Sequence, residues 1–247
     1  MTESMQAVPE MLPTETNPKV PWTFLDSWIG FVLFFILFLA LGLINNYFTQ
    51  NWMMAVWLLV YQPLQFIPVF IIMKIRKATW ADLGFRKGQP NVLALGCGFI
   101  VLSFIVTFIN NIIMMLFKFQ IQAERFTALA NDLHNPAVLL ITGAVIAPLF
   151  EETIFRGFLF PGLRQKMGWQ KAALLSSAIF AACHLQLAAF IPTFTLGLVF
   201  CYLYQRSSSI WPGIILHTLV NSFSLCVLVT LMQNVGPITF WIRFLWI

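Results

Sequence analysis

Three charged residues stand within six positions of one another, Glu151, Glu152 and Arg156, in the run Ala147-Pro148-Leu149-Phe150-Glu151-Glu152-Thr153-Ile154-Phe155-Arg156-Gly157. The surrounding side chains are those of a membrane span. Ionisable groups inside a span cost roughly 2.5–3.5 kcal/mol each, so three left unpaired would cost about 8–10 kcal/mol. Helical spacing supplies the pairing: Glu152 and Arg156 are four apart, in the acid-before-base order that suits an ion pair. Glu151 points about 100° away. It remains a carboxylate in a low-dielectric site, where desolvation favours its neutral form and equips it to take and return a proton. Glu151 is therefore the candidate general base.

Two of the three histidines also lie in apolar helical sequence. His184 follows Phe180-Ala181-Ala182-Cys183, and His217 stands four before Asn221 in Leu216-His217-Thr218-Leu219-Val220-Asn221. The pair His217 and Asn221 shares one helix face and presents an imidazole and an amide together, which suits hydrogen bonding to a developing oxyanion. The third, His134, sits beside Asp132 and Asn135 and reads as a solvated surface residue. Two carboxylates, an arginine, two histidines and an asparagine from three helices form a set for polarising water and stabilising a tetrahedral intermediate, the requirements of peptide-bond hydrolysis. Acidic and histidine residues in a bundle core are also the parts of a proton relay. A proton-coupled transporter is thus the alternative from another class, although the chain is short and shows no repeated halves. A non-catalytic scaffold or immunity protein on the same bundle is a further alternative.

The elements that must hold these residues follow from composition. The chain has 247 residues, 60% apolar and 9% charged, with a mean hydropathy of +0.83. A soluble domain carries roughly 25% charged residues. A water-soluble protein is excluded, and the fold class is all-helical: a polytopic transmembrane bundle of about seven spans. Charge-free runs from Ser27 to Met73, Gly88 to Phe117, Leu133 to Phe150, Ala172 to Gln205 and Ser207 to Ile242 draw those spans. Helices are expected near 27–48, 52–73 (kinked by Pro63 and Pro68), 92–117, 137–163, 170–186, 189–205 and 209–232.

The organisation is a polar cytoplasmic leader over 1–25, N-terminal membrane helices with an amphipathic segment over 26–135, core helices over 136–232 in the same membrane domain, and an aromatic interfacial tail over 233–247. The amphipathic stretch, Phe119 to Asn135, carries Glu124, Arg125, Asp132 and His134. Lys19, Lys74, Arg76, Lys77, Arg86, Lys87, Arg164, Lys166, Lys171 and Arg206 fall on one side, against Lys118, Arg125 and Arg243 on the other. That asymmetry places the N-terminus in the cytoplasm of a multi-pass cell-membrane protein. The net charge of +5 belongs to this bias, and no nucleic-acid partner is expected. The partners are the lipid bilayer and a membrane-associated peptide or protein. Cys97, Cys183, Cys201 and Cys226 lie in apolar runs without metal or disulfide spacing and read as packing residues.

The motifs EExxxR (Glu151, Glu152, Arg156), FxxxH (Phe180, His184) and HxxxN (His217, Asn221) resemble the three motifs of the CAAX protease and bacteriocin-processing (CPBP, abortive-infection) family of intramembrane endopeptidases. Phe155-Arg156-Gly157, Gly197, Ser209-Ile210-Trp211 and the upstream Asp82-Leu83-Gly84-Phe85-Arg86 add to the likeness, which covers roughly 140–225. The resemblance implies a membrane-embedded cavity in which Glu151, assisted by His184, activates water, His217 and Asn221 stabilise the oxyanion, and Glu152 with Arg156 supports them. It is compatible with a metal-free glutamate mechanism, with no cofactor, and with zinc held by Glu151, His184 and His217. The absence of an HExxH pair favours the metal-free form. With straight helices these groups fall at different depths, so tilted, broken or displaced helices are required.

Overall fold

A computed structural model describes residues 19–44, 47, 51–119 and 136–234. The 1–18 portion of the leader, Asn45 and Asn46, the 120–135 portion of the amphipathic stretch with His134, and the 235–247 portion of the tail lie outside the described residues. Within them every regular element is helical. The elements are α1 (Phe24–Ile44), α2 (Asn51–Gln65), α3 (Ile67–Ile75), α4 (Pro90–Leu116), α5 (136–167), α6 (Trp169–Cys183), α7 (Leu187–Ser207) and α8 (Trp211–Asn234). With α2 and α3 taken as the two halves of the expected kinked helix, these match the seven anticipated. Five segments are long and apolar enough to cross a bilayer: Phe24–Ile44, Trp52–Ile75, Pro90–Leu116, Ala137–Met167 and Leu187–Ser207, with Trp211–Val227 shorter. The protein is a multi-pass membrane protein.

Local sequence explains the boundaries. α1 begins three residues earlier than the charge-free run because Thr23 and Asp26 cap it reciprocally: the Thr23 amide donates to Asp26 Oδ2 at 2.7 Å, and the Asp26 amide to Thr23 Oγ1 at 3.1 Å. Arg76 then reaches Asp26 Oδ1 at 2.9 Å, tying the end of α3 to the start of α1. The chain breaks at Phe66, between Pro63, which lacks an amide hydrogen for the helix ladder, and Pro68, which opens α3. Leu25, Ile29, Val32, Leu33 and Ile36 of α1 and Leu102, Ile105 and Ile109 of α4 face outward. In a bilayer they meet lipid.

α5 is the axis of the bundle, and it is not a regular α-helix. Ile141–Ile146 and Thr153–Leu159 are π-helical, with the α-helical Ala147–Glu152 between them. All seven residues from Thr153 to Leu159 are buried. Side chains from elsewhere engage the π-helical carbonyls: Trp22 Nε1 donates to the Phe158 carbonyl at 3.1 Å, and Asn221 Nδ2 to that of Gly143 at 2.9 Å. Wide turns of this kind collect at functional sites.

The 82–86 loop lies against α5 and the start of α8. A Cβ on Gly157 would stand 2.8 Å from the Leu83 carbonyl oxygen, so only glycine lets this backbone pass. The Ile210 amide donates to the Gly84 carbonyl at 2.9 Å and Ser209 Oγ to that of Arg86 at 2.7 Å. These contacts, the Arg76–Asp26 pair and the Gln165 Nε2 bond to the Trp22 carbonyl at 3.0 Å gather the start of α1, the ends of α3 and α5 and the start of α8 at one end of the bundle. Lys74, Arg76, Arg86, Arg164 and Lys166 belong to that end.

Candidate functional site

Glu152 is wholly buried. Its Oε1 accepts from Arg156 Nη1 at 2.8 Å, as the spacing predicts, and also from His217 Nδ1 at 3.0 Å. The second contact spans 65 residues and joins α5 to α8. Its Oε2 has no hydrogen-bonding partner among the described residues and rests on Gly213 in the first turn of α8, where a Cβ would come within 2.8 Å of it. A negative charge beside the start of a helix is favoured by the helix dipole. Glycine at 213 is what lets the carboxylate lie there.

Arg156 is 1% exposed, and its guanidinium lies 4.2 Å from the Phe180 ring centre and 5.3 Å from that of Phe200. Aromatic faces thus meet the parts of the cation that Glu152 does not. Phe180 also stands edge-on to His184 at 4.9 Å and to His217 at 6.0 Å, while His217 stacks on Phe200 at 5.2 Å. Phe180 is the common neighbour that brings the three motifs to one place. The sequence reading gave it only as a motif letter. The broken α5 and the early end of α6 at Cys183 reconcile the depths that straight helices would separate.

The ring protons follow from the partners. A carbonyl oxygen only accepts, so at 2.9 Å from the Phe180 carbonyl, His184 Nδ1 is the protonated nitrogen and Nε2 bears the lone pair. His217 Nδ1 donates to Glu152, and its Nε2 faces Glu151 Oε2 at 3.8 Å. That separation is too long for a direct hydrogen bond and suits a bridging atom. The Glu151 side chain is 23% exposed, whereas Glu152 is sealed: adjacent carboxylates in opposite settings.

Glu151, His184, His217 and Asn221 all line one hollow of about 300 Å³. Glu152 and Arg156 lie behind it. One amide hydrogen of Asn221 goes to the Gly143 carbonyl, and the amide has a second to offer. The hollow's opposite wall is formed in part by Ser103, Thr107 and Asn111 of α4. With Asn110, which donates to the Ala188 carbonyl at 2.8 Å, these are buried polar residues. The sequence reading missed them, although their spacing marks a polar stripe along an otherwise apolar helix.

Among the described residues no three of His, Cys, Asp and Glu gather closely enough to hold a metal ion. The four cysteines are free thiols.

Residues 133–223 match the family model described as "Type II CAAX prenyl endopeptidase Rce1-like". A Bacillus subtilis (strain 168) protein named "Putative membrane peptidase YdiL" is 25% identical over 169 residues, which are 66% of this chain and 69% of that protein. An Escherichia coli protein named "Uncharacterized 24.3 kDa protein" is 35% identical over 103 residues, 38% of this chain and 48% of that one. No solved structure matches. The likeness carried by the three motifs therefore holds: over residues 133–223, which include Glu151 and Asn221, the chain is similar to Rce1-like proteins of the CPBP family, and both this likeness and the Bacillus relative point to a membrane protease.

Proposed function

We propose that this protein is an intramembrane endopeptidase that hydrolyses a peptide bond of a membrane-associated peptide or protein without a metal. The observation that carries the proposal is the meeting of two proton acceptors, the Glu151 carboxylate and the Nε2 side of His184, with the Asn221 amide around one hollow inside a membrane bundle. Glu151 and His184 hold a water between them. The water oxygen bonds to the scissile carbonyl carbon while its proton passes to Glu151, and the carbonyl oxygen takes the displaced electron pair. Asn221 donates to that oxygen. His217, its ring held through Nδ1 by Glu152, turns Nε2 to the same oxygen as the second donor. Collapse of the intermediate breaks the C–N bond, and Glu151 returns its proton to the leaving amine.

Glu152 and Arg156 act as positioning residues, since Glu152 fixes the His217 ring through Nδ1. Residues 136–232 form the catalytic part of a single membrane domain, with α1 to α4 packed beside it. The basic end of the bundle faces the cytoplasm, as does the leader.

The test is a comparison of new peptide termini in membranes of cells carrying the wild type or Glu151→Gln. Termini present only with the wild type are expected, and identical sets would overturn the proposal. With a substrate so identified, a chelator leaves turnover unchanged; stoichiometric zinc whose removal abolishes turnover would overturn the metal-free route. Asn221→Ala lowers kcat by about 10²–10³ with little change in KM, the usual loss for one oxyanion donor. It shifts stability by only about 1 kcal/mol, the worth of the bond to the Gly143 carbonyl.

A further inference from the structure

A second hollow, of about 90 Å³, adjoins the candidate site. Glu151, His184, Phe180 and Gln62 line both hollows, and Phe34, Phe38, Gln65 and Cys183 line the smaller one. Gln65, the last residue of α2, is 2% exposed; with the Tyr61 side chain beside it, its Nε2 still has no partner at full hydrogen-bonding geometry among the described residues. A buried amide in that state is costly, and polar cavities of this kind hold water. The space has room for more than one water. Gln65, Gln62, Glu151 and His184 supply the polar contacts such waters need.

The geometry points to a water store: the smaller hollow supplies hydrolytic water to Glu151 and His184, and Gln65 is the positioning residue that holds it there. This rests on the peptidase reading above. A peptide filling the 300 Å³ hollow displaces the water in it, so the nucleophile must come from a face the peptide leaves uncovered. Glu151 and His184 have such a face on the smaller hollow. Gln62, common to both, stands where the two meet. The break at Phe66, between Pro63 and Pro68, ends α2 at Gln65 and so sets where the amide enters the bundle.

Two measurements on the purified full-length protein and on cells test this. Hydroxyl radicals produced from bound water by X-ray radiolysis, read by mass spectrometry, are expected to label Cys183 and Phe38 in the wild type and to label them at least about fivefold less in Gln65→Leu. In cells, Gln65→Leu forms the Glu151-dependent termini about tenfold more slowly while its unfolding midpoint is equal or higher, because leucine removes a buried unpaired amide. Gln65→Asn, which keeps an amide, recovers at least about half the rate. Unlabelled Cys183 and Phe38 in the wild type, an unchanged rate in Gln65→Leu, or a slowed rate with labelling intact would each overturn the water store. If Glu151→Gln leaves the termini unaltered, the peptidase reading fails separately, and the labelling alone rules on the hollow.

Discussion

Glu151→Gln is expected to abolish turnover almost entirely while leaving the protein folded in the membrane. Proton transfer by a positioned side chain contributes roughly 10²–10⁴ in rate, and glutamine has the same shape but an amide that cannot take the proton. Stability should hardly move. The Glu151 side chain is 23% exposed, and its one ion-pair-range contact among the described residues, His217 Nε2, is 3.8 Å away, so little native bonding is lost. Rates against the substrate identified by its new termini, with the unfolding midpoint measured alongside, check both halves. A variant that unfolds would make Glu151 a structural residue. One that folds and turns over at the wild-type rate would remove it from the mechanism.

Arg156→Met gives the opposite pattern. Its guanidinium is the only lysine or arginine partner of the sealed Glu152 among the described ion pairs. Removing one member of a buried pair costs about 3–5 kcal/mol, since it strands the other charge. The variant is therefore expected to unfold at much milder conditions and to lose activity as a consequence. The double variant Glu152→Gln with Arg156→Met should recover most of the stability, because neither residue then carries a buried charge. It should not recover activity, because a neutral amide no longer gives the His217 Nδ1 proton a carboxylate acceptor. Denaturation in detergent micelles separates the two; a single variant as stable as the wild type would show that the pair contributes nothing to the fold.

Much of this site was legible in the sequence because membranes make charge conspicuous. Where Asp, Glu, Lys and Arg are absent the chain spans, and where three of them interrupt a span they call for a partner; the four-residue spacing of Glu152 and Arg156 named it. The seven helices followed from the same signal. What did not follow is long-range or conformational. Nothing local to Glu152 indicates that His217 bonds to it from 65 residues away. The residues of Thr153–Leu159 are ordinary helix formers in a membrane setting, and only the folded chain brings Trp22 and Ser176 to the carbonyls of their wide turn. The stripe of Ser103, Thr107, Asn110 and Asn111 is a different case. Its spacing was readable, and attention to charged residues alone passed over it.

The two π-helical turns of α5 have a consequence for how such a site is inherited. Each accommodates an extra residue that a regular α-helix would have to expel. Losing one codon within 153–159 would let that stretch wind as ordinary helix while what lies beyond keeps its place, because the wide turn already takes up that residue. A codon lost from the regular turn at 147–150 has no such slack and would swing the two sides of the helix about 100° apart, dismantling the site while the chain still spans the membrane. Where a deletion falls along this helix, more than its size, therefore decides whether the chemistry is inherited.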